Sequence, residues 1–255
     1  MKLHWDQNET TLTLLSGNRV VWRLNFDPRE GKPYFHPITA ADGAGLTALR
    51  PADHPWHRGI WWSWKFINGL NYWEENKEGL SDGRTRLRET QITTRPDGSA
   101  TIGHRLEYHP PEKPPVLTEH RQLVVSPGGQ TIDWHSHFTV GVVPVRLDRT
   151  PVPGEPNGQS WGGYAGLSVR LAPTATGLRD SKGRSGAAMI HGQKARWVEY
   201  GGVRITDDPS NAKQSPHWYA WSEGMHYFSP ALLFAGPLEL PAGGELRVAY
   251  RIEIL

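Results

Sequence analysis

The residues best suited to acid–base chemistry lie in one short stretch, Asp53-His54-Pro55-Trp56-His57-Arg58-Gly59. An imidazole gains or loses a proton near neutral pH, and a neighbouring carboxylate can act as a base. A guanidinium can hold an oxyanion or a carboxylate through two hydrogen bonds. We therefore predict His54 or His57 as the catalytic acid, Asp53 as the base and Arg58 as an electrostatic clamp, because these residues are an unusual way to build a plain turn.

A second candidate base comes later in the chain, in Asp207-Asp208-Pro209-Ser210-Asn211. If it is desolvated, Asp208 can serve as a general base, and the Asn211 amide can bind substrate. Asp-Pro and Ser-Asn sequences also form ordinary turns. Both interpretations of this segment stay open.

Aromatic residues follow the histidines closely, in Trp61-Trp62-Ser63-Trp64 and at Trp73. The chain has 12 Trp, more than a core of this size usually uses. An indole offers a flat apolar face and one N–H, which suits the C–H face of a sugar ring. The alternative is simple core packing. The predicted substrate-binding residues are His36, Arg58, Trp61, Trp64, Asn68, Trp73, Arg170, Asn211 and Trp218.

His36 could also supply a third imidazole beside His54 and His57. Three histidines together with Asp53 would suit a divalent metal. Their spacing matches no zincin or other named metal motif. We predict no cofactor, and a divalent metal on these three histidines is the alternative.

The elements that must position these residues are predicted to be β-strands. Residues 12–26 alternate around Ser16-Gly17-Asn18, which is typical of a hairpin. A two-residue period returns in 88–94, 100–108, 120–125, 131–140, 167–171, 187–191 and 246–254. No segment shows an amphipathic helix of three turns. The pattern predicts an all-β fold, a large antiparallel β-sandwich.

Two passages break this pattern. Residues 27–87 form a long irregular passage that holds many of the aromatic and histidine residues, and long loops in compact domains are usually functional. Residues 144–163 are rich in Pro and Gly and predict either a lid or a solvated loop.

The segment 131–140 is two-sided, and its polar face carries His135 and His137. That face either lines a concave site or meets water.

Composition narrows the class of protein. No linker divides the 255 residues, so we predict a single domain over 1–255. The 28 Lys and Arg are mixed with 26 Asp and Glu, which argues against a nucleic-acid partner. No apolar run approaches the roughly 18 residues of a membrane span. The absence of cysteine excludes disulfides and thiolate chemistry. The polar N-terminus has no secretory pattern, so a cytoplasmic location is the default expectation.

Motifs over most of the chain carry a resemblance to a known family. They are Tyr34 to Ile38, Asp53 to Gly59, Trp64, Asn68-Gly69, Trp73, Gly163 to Arg170, Ala195 to Val198 and Asp207 to Asn211. They resemble the DUF6807 family, which has also carried the label methane oxygenase PmoA. The membrane-bound subunit of that name has several spans, and this chain has none. Trp56, Asp208 and Tyr219 stand where the family commonly has histidine, which implies altered or lost activity if those histidines act on substrate or metal.

A fold-level resemblance points to sugars. His57-Arg58-Gly59 before Trp61 is similar to the His-Gly element of galactose mutarotase-like supersandwich proteins. That resemblance implies a concave, aromatic-lined sugar site in which a histidine acid and a carboxylate base flank the ring oxygen.

We therefore expect a carbohydrate-active enzyme that acts on a sugar or glycoside through His/Asp acid–base catalysis, as a hydrolase, lyase or epimerase. No carboxylate pair of known separation stands out, so elimination and epimerisation are as compatible as hydrolysis. The alternatives are a non-catalytic sugar-binding protein and a metal-dependent oxygenase. The expected partner is a small-molecule carbohydrate.

Overall fold

The computed structural model describes residues 2–211 and 216–255, and over these residues the chain forms 20 strands and one short helix. In chain order the elements are β1 (Leu3–Gln7), β2 (Thr11–Ser16), β3 (Arg19–Asn25), β4 (Tyr34–Ile38), β5 (Ile60–Ser63), β6 (Phe66–Ile67), β7 (Leu70–Asn71), β8 (Arg84–Thr94), β9 (Ala100–His109), β10 (Leu117–Val125), β11 (Thr131–Val140), β12 (Val145–Asp148), β13 (Gly166–Arg170), β14 (Arg179–Asp180), α1 (Ala187–Ile190), β15 (Trp197–Tyr200), β16 (Val203–Asp207), β17 (Trp218–Trp221), β18 (Tyr227–Pro230), β19 (Leu238–Leu240) and β20 (Glu245–Ile254).

Two large antiparallel sheets carry the fold. Among the described strands, eight form a first sheet in the order β1-β2-β3-β4-β5-β13-β18-β17. Another eight form a second sheet in the order β14-β15-β16-β20-β11-β10-β9-β8, and four short strands pair as β19-β12-β6-β7. The chain leaves the first sheet after β5 and returns to it at β13. These two strands pair directly, with Leu167 opposite Trp62.

The main core lies between the two large sheets. Trp62 of β5 packs against Phe138 of β11 and Tyr250 of β20, with ring centroids 5.4 and 6.5 Å apart. In β11, Ile132, Trp134, Ser136, Phe138 and Val140 share one face and are all buried, while His135 on the other face is exposed. This is the face-to-face packing of a β-sandwich, and it confirms the predicted fold class.

A smaller aromatic cluster lies on the other face of the first sheet. It contains Tyr34, Trp61, Trp73, Tyr219 and Tyr227. Trp61 and Trp62 are neighbours on β5 but join different clusters, because successive side chains of a strand point to opposite faces. The second cluster therefore covers the outer face of the first sheet, the face that points away from the main core.

Most predicted strands are confirmed, including the hairpin of β2 and β3, which turns at Gly17 with a positive φ of 61°. Residues 187–191 were wrongly predicted as a strand and instead contain α1. Four consecutive helix-compatible residues, Ala-Ala-Met-Ile, give too short a pattern for periodicity to decide. The passage 27–87 contains β4, β5, β6 and β7, and the passage 144–163 contains β12.

The irregular appearance of residues 27–87 has a physical reason. All four residues of β5 are buried, so the strand has no polar face to alternate with. Strands β6 and β7 have two residues each, below the length at which alternation shows. The helix α1, which is the one helix of the described residues, has four residues and is far too short to span a bilayer.

Candidate active site

A cavity of about 490 Å³ lies over the aromatic cluster of the first sheet. Its walls come from the turn before β5, the segment after β7, the loop before β13 and the β17–β18 hairpin. This volume is in the range of small-molecule sites. The lining residues are Asp53, His54, Trp56, His57, Trp73, Glu74, Trp161, Tyr164, Tyr219, Trp221, Glu223, Gly224, Met225 and Tyr227.

A tight turn before β5 presents the two histidines together. The amide of His54 donates to Pro51 O and the amide of His57 donates to His54 O, each at 3.0 Å. The two imidazole rings stack with centroids 4.5 Å apart. Gly59 ends the turn with φ 61°, and a Cβ there would stand 2.2 Å from the Phe35 carbonyl oxygen. Only glycine fits this close approach of two backbones.

Asp53 joins His54 to a buried arginine. Its carboxylate accepts a hydrogen bond from His54 Nδ1 at 2.7 Å and two from Arg170 Nη2 at 2.9 and 2.7 Å. Burial alone would raise the pKa of Asp53, but the hydrogen bonds from His54 and Arg170 outweigh it and lower this pKa to about 2. Asp53 is thus an ionised orienting group. Because Nδ1 of His54 donates to it, Nε2 is the basic nitrogen of the neutral ring.

His57 is the buried imidazole of the site. Its exposed fraction is 3 %, and burial, followed by the charges of His54 and Arg170, holds its pKa well below the usual range. Nη1 of Arg170 lies 3.5 Å from Nδ1 of His57. A guanidinium can only donate, so Nδ1 accepts and the neutral ring carries its proton on Nε2. His57 is therefore suited to donate a hydrogen bond rather than to carry a charge.

Glu74 supplies a second carboxylate on the opposite wall. It pairs with Lys65, accepts a hydrogen bond from Asn71 Nδ2 at 2.7 Å and accepts another from the Tyr164 hydroxyl at 3.1 Å. Burial raises the pKa of Glu74, but the Lys65 charge and the hydrogen bonds from Lys65 and Asn71 together bring it below the ordinary value. Glu74 is thus ionised and held in place.

Aromatic rings form the rest of the wall. Trp73 and Tyr164 have centroids 4.8 Å apart, Tyr164 and Tyr219 5.5 Å, and Tyr219 and Trp221 6.4 Å. Burial raises the pKa of Tyr219 to about 12, and it also raises the pKa of Tyr164 and Tyr227. These hydroxyls stay protonated at neutral pH. The wall offers both flat apolar faces and O–H groups.

Arg58 does not face this cavity. Its side chain is 1 % exposed, and Nη2 donates to both oxygens of Glu75 at 2.8 and 2.9 Å. Lys32 joins the same cluster, with its Nζ 3.1 Å from Glu75. The predicted clamp is instead part of a buried ion cluster that anchors the turn, because Arg58 points away from its neighbour His57.

Three predicted residues lie by the second sheet or in the core. Asp208 accepts a hydrogen bond from the Ser210 amide at 2.8 Å and lies near the charges of His135 and Arg251. It therefore stabilises a turn by the second sheet and is not part of the site around Asp53. Asn211 is buried and bonds both the amide and the carbonyl of Ala249. Trp218 is fully buried in the main core, where its Nε1 donates to Ala195 O at 2.8 Å.

Three others also lie outside the lining. Trp64 is in the main core against Trp62, and Asn68 forms the β6–β7 turn at φ 51°, where it accepts from the Arg146 amide at 2.7 Å. His36 is half-buried, and its Nδ1 bonds the Thr47 hydroxyl at 2.9 Å. The three histidines are thus not assembled as a metal set. Over the described ranges, no group of three or more His, Asp or Glu side chains is placed to hold a metal ion.

The predicted residues that do come together are Asp53, His54, His57 and Trp73 in the lining, with Trp61 and Arg170 directly behind it. Trp61 lies 5.0 Å from the His57 ring. The lining residues that were not predicted as site residues are Trp56, Glu74, Trp161, Tyr164, Tyr219, Trp221, Glu223, Gly224, Met225 and Tyr227. One signal was present, since Trp161 is an exposed indole in a loop of Pro and Gly, a composition that gives no core for it to join.

Solved structures similar to this chain include α-galactosidases. The GH36 α-galactosidase AgaB from Geobacillus stearothermophilus matches 100% of this chain and 41% of its own at 11% identity, with a TM-score of 0.44. The α-galactosidase from Lactobacillus brevis matches 98% and 39% at 9% identity, with a TM-score of 0.45. The chain thus spans about two fifths of the length of these structures.

No curated protein sequence matches the chain. The model of one family, described as a family of unknown function (DUF6807), matches residues 11–255. That match covers nearly the whole length, so the chain belongs to the DUF6807 family.

Proposed function

We propose that the chain is a carbohydrate-active enzyme that moves a proton on a sugar by means of His54. The observation that carries the proposal is the cavity in which Asp53, His54 and His57 stand beside tryptophan and tyrosine rings. Flat aromatic walls suit the apolar face of a sugar, and the hydroxyl and imidazole groups suit its polar edge.

The hydrogen-bond directions give each group a role. Asp53 accepts from Nδ1 of His54, which leaves Nε2 to take a proton from the substrate, and the ionised carboxylate stabilises the imidazolium that forms. His57 is neutral and donates from Nε2 to an oxygen on which negative charge develops. Arg170 holds Asp53 from behind and acts as a positioning residue.

The electrostatics favour elimination or epimerisation over hydrolysis by two carboxylates. A glycosidase acid must be held protonated near neutral pH, which requires a raised pKa. Asp53 and Glu74 both have lowered pKa values, because each is paired with a cation. The proton donor and acceptor is therefore the imidazole of His54. His54 takes a proton from a carbon next to a carbonyl group while His57 donates a hydrogen bond to that carbonyl oxygen. In epimerisation a proton from the His54 imidazolium or from water returns to that carbon, and in elimination the substituent on the next carbon leaves with the proton from His54.

The test is an NMR experiment in D₂O with mono- and disaccharides and their keto derivatives. A substrate should show deuterium at one carbon, or a new product, over time. His54→Asn should lower the rate by roughly a hundredfold or more, the usual contribution of a general base, while the sugar still binds. The matched control is His135→Asn, which removes an exposed histidine of the second sheet and should leave the rate unchanged.

The outcomes separate the candidate functions. Sugar binding in the wild type without exchange or product from any substrate would refute the enzyme and leave a sugar-binding protein. An equal rate in wild type and His54→Asn would refute the role of His54. Failure of every sugar to bind would refute both the enzyme and the binding protein.

A further inference from the structure

The charges of the cavity are one-sided. Of the described residues that line it, three are carboxylates, Asp53, Glu74 and Glu223, and none is lysine or arginine. The cations that neutralise the first two, Arg170 and Lys65, are 5 % and 6 % exposed and lie behind the carboxylates. A ligand in the cavity therefore meets oxygen atoms of carboxylates and not the cations.

Glu223 differs from the other two carboxylates. It is an exposed residue of the β17–β18 turn, and no ion pair to it exists within the described residues. Among the described residues, no cation thus pairs with its carboxylate at the mouth of the cavity. This charge attracts a cation that enters the cavity and repels an anion.

The aromatic wall adds to this preference. Trp56, Trp161, Tyr219 and Trp221 line the cavity, as does the polarisable thioether of Met225. The face of an aromatic ring carries partial negative charge, so it attracts cations and disfavours anions. Rings around a carboxylate are a typical environment for an ammonium group.

We propose that the sugar recognised by this cavity carries a protonated amine, and that the cavity rejects uronates and sugar phosphates. This inference rests on the proposed function, because it names the substrate class of the same site. The amine lies at the mouth, between Glu223 and the indoles of Trp161 and Trp221. The sugar ring lies deeper, against Trp73, Tyr164 and the two histidines.

Calorimetric titration at neutral pH and low salt tests the inference with four matched sugars: glucose, glucosamine, N-acetylglucosamine and glucuronate. Glucosamine should bind roughly fivefold to tenfold more tightly than glucose, since a cation–π contact and an exposed ion pair both favour the ammonium group. N-acetylglucosamine, which has the substituent without the charge, should lose that advantage. Glucuronate should bind more weakly than glucose.

The variant Glu223→Gln should bring the ratio of glucosamine to glucose affinity down by at least about threefold. Glu112→Gln is the matched control, since it removes the same charge from an exposed turn outside the cavity, and it should keep the wild-type ratio. Added salt should reduce the ratio in the wild type more than in Glu223→Gln.

The results distinguish failure of the amine inference from failure of the proposed function. If glucose binds and glucosamine has no advantage, or if glucuronate binds as tightly, the inference is overturned and the proposed function stands. If the ratio is the same in wild type and Glu223→Gln, Glu223 is not the amine site and the inference is again overturned. If none of the four sugars binds and the wider sugar panel also fails, the proposed function itself falls.

Discussion

Arg170 holds Asp53 and contacts His57 from behind the cavity, and Arg170→Met tests how far the site depends on it. Methionine keeps the apolar part of the buried side chain and removes the guanidinium. The change deletes two hydrogen bonds to Asp53, at 2.9 and 2.7 Å, and the contact with Nδ1 of His57. Asp53 and His54 then lose their fixed orientation relative to His57.

The expected loss of stability follows from these contacts. Hydrogen bonds to a charged group contribute about 1.5–3 kcal/mol when they are buried. The Asp53 side chain is 42% exposed, so water replaces part of the hydrogen bonding that Arg170 provides, and the stabilisation by these hydrogen bonds is smaller than in a buried site. We therefore expect the free energy of unfolding at pH 7 to fall by about 1–2 kcal/mol.

This difference should depend on pH with a definite sign. The pKa of Asp53 is lowered from 3.8 to about 2 in the folded protein, so its contribution to stability is present above pH 3.8. That contribution is lost as the pH falls from about 4 towards 2, because the unfolded state then binds the proton first. The gap between wild type and Arg170→Met should accordingly stay constant from about pH 7 to pH 5 and narrow as the pH falls from about 4 towards 2.

Urea unfolding at several pH values measures the gap, and ¹⁵N NMR of the histidine rings gives a second readout. The pKa of His57 should rise in the variant and stay below its ordinary value, because burial is the larger cause of its shift. Arg247→Met removes an arginine that is 73% exposed, and its effect should stay within about 0.5 kcal/mol. An unchanged stability and an unchanged His57 pKa in Arg170→Met would refute the reasoning.

Three further predictions concern the framework. Burial lowers the pKa of Lys32 to about 8, so the unfolded state binds this proton more strongly than the folded state does. The free energy of unfolding of the wild type, measured in urea, should therefore rise between about pH 8 and pH 9.5, and Lys32→Met should not show this rise. Burial lowers the pKa of His104 to about 3, so the unfolded state binds a proton first as the pH falls. The free energy of unfolding should drop by about 2 kcal/mol between about pH 7 and pH 5 in the wild type, and His104→Gln should not show this drop. Gly59→Ala should destabilise by about 3 kcal/mol or more in thermal melts, because its Cβ would stand 2.2 Å from Phe35 O, whereas Gly69→Ala, with open space at φ 78°, should cost about 1 kcal/mol.

The long strands could be predicted because each has one buried and one exposed face. β11 and the β2–β3 hairpin show the two-residue period directly, so hydrophobic alternation located them. Strand β5 lacks that signal because both its faces are covered. Short or fully buried elements leave no period in the sequence, and this is why residues 27–87 looked irregular.

The lining residues that could be predicted lie close together in the sequence. Asp53, His54 and His57 share one turn, and Trp73 follows closely. Tyr164 and Trp221 reach the cavity because β13 and β17 belong to the same sheet as β5. A sheet order that pairs residues about 100 positions apart cannot be read from a single sequence, so most of the wall was missed.

The assignment of Arg58 shows a different limit. Neighbouring residues in an extended chain point in opposite directions, so a cluster of chemical residues along the sequence divides between two environments. His57 faces the cavity and Arg58 faces the ion cluster. The same division separates Glu74, in the cavity wall, from Glu75, which binds Arg58.

This alternation also sorts the tryptophans around the cavity. In β17, Trp218 enters the main core, while Tyr219 and Trp221 line the cavity. In β5, Trp62 enters the core and Trp61 supports His57. Strands β5 and β17 thus contribute alternate residues to the sandwich core and to the cavity side of the sheet, so a shift of one residue in register would exchange the two sets. The core fixes the register, and the register in turn fixes which aromatic rings face the cavity.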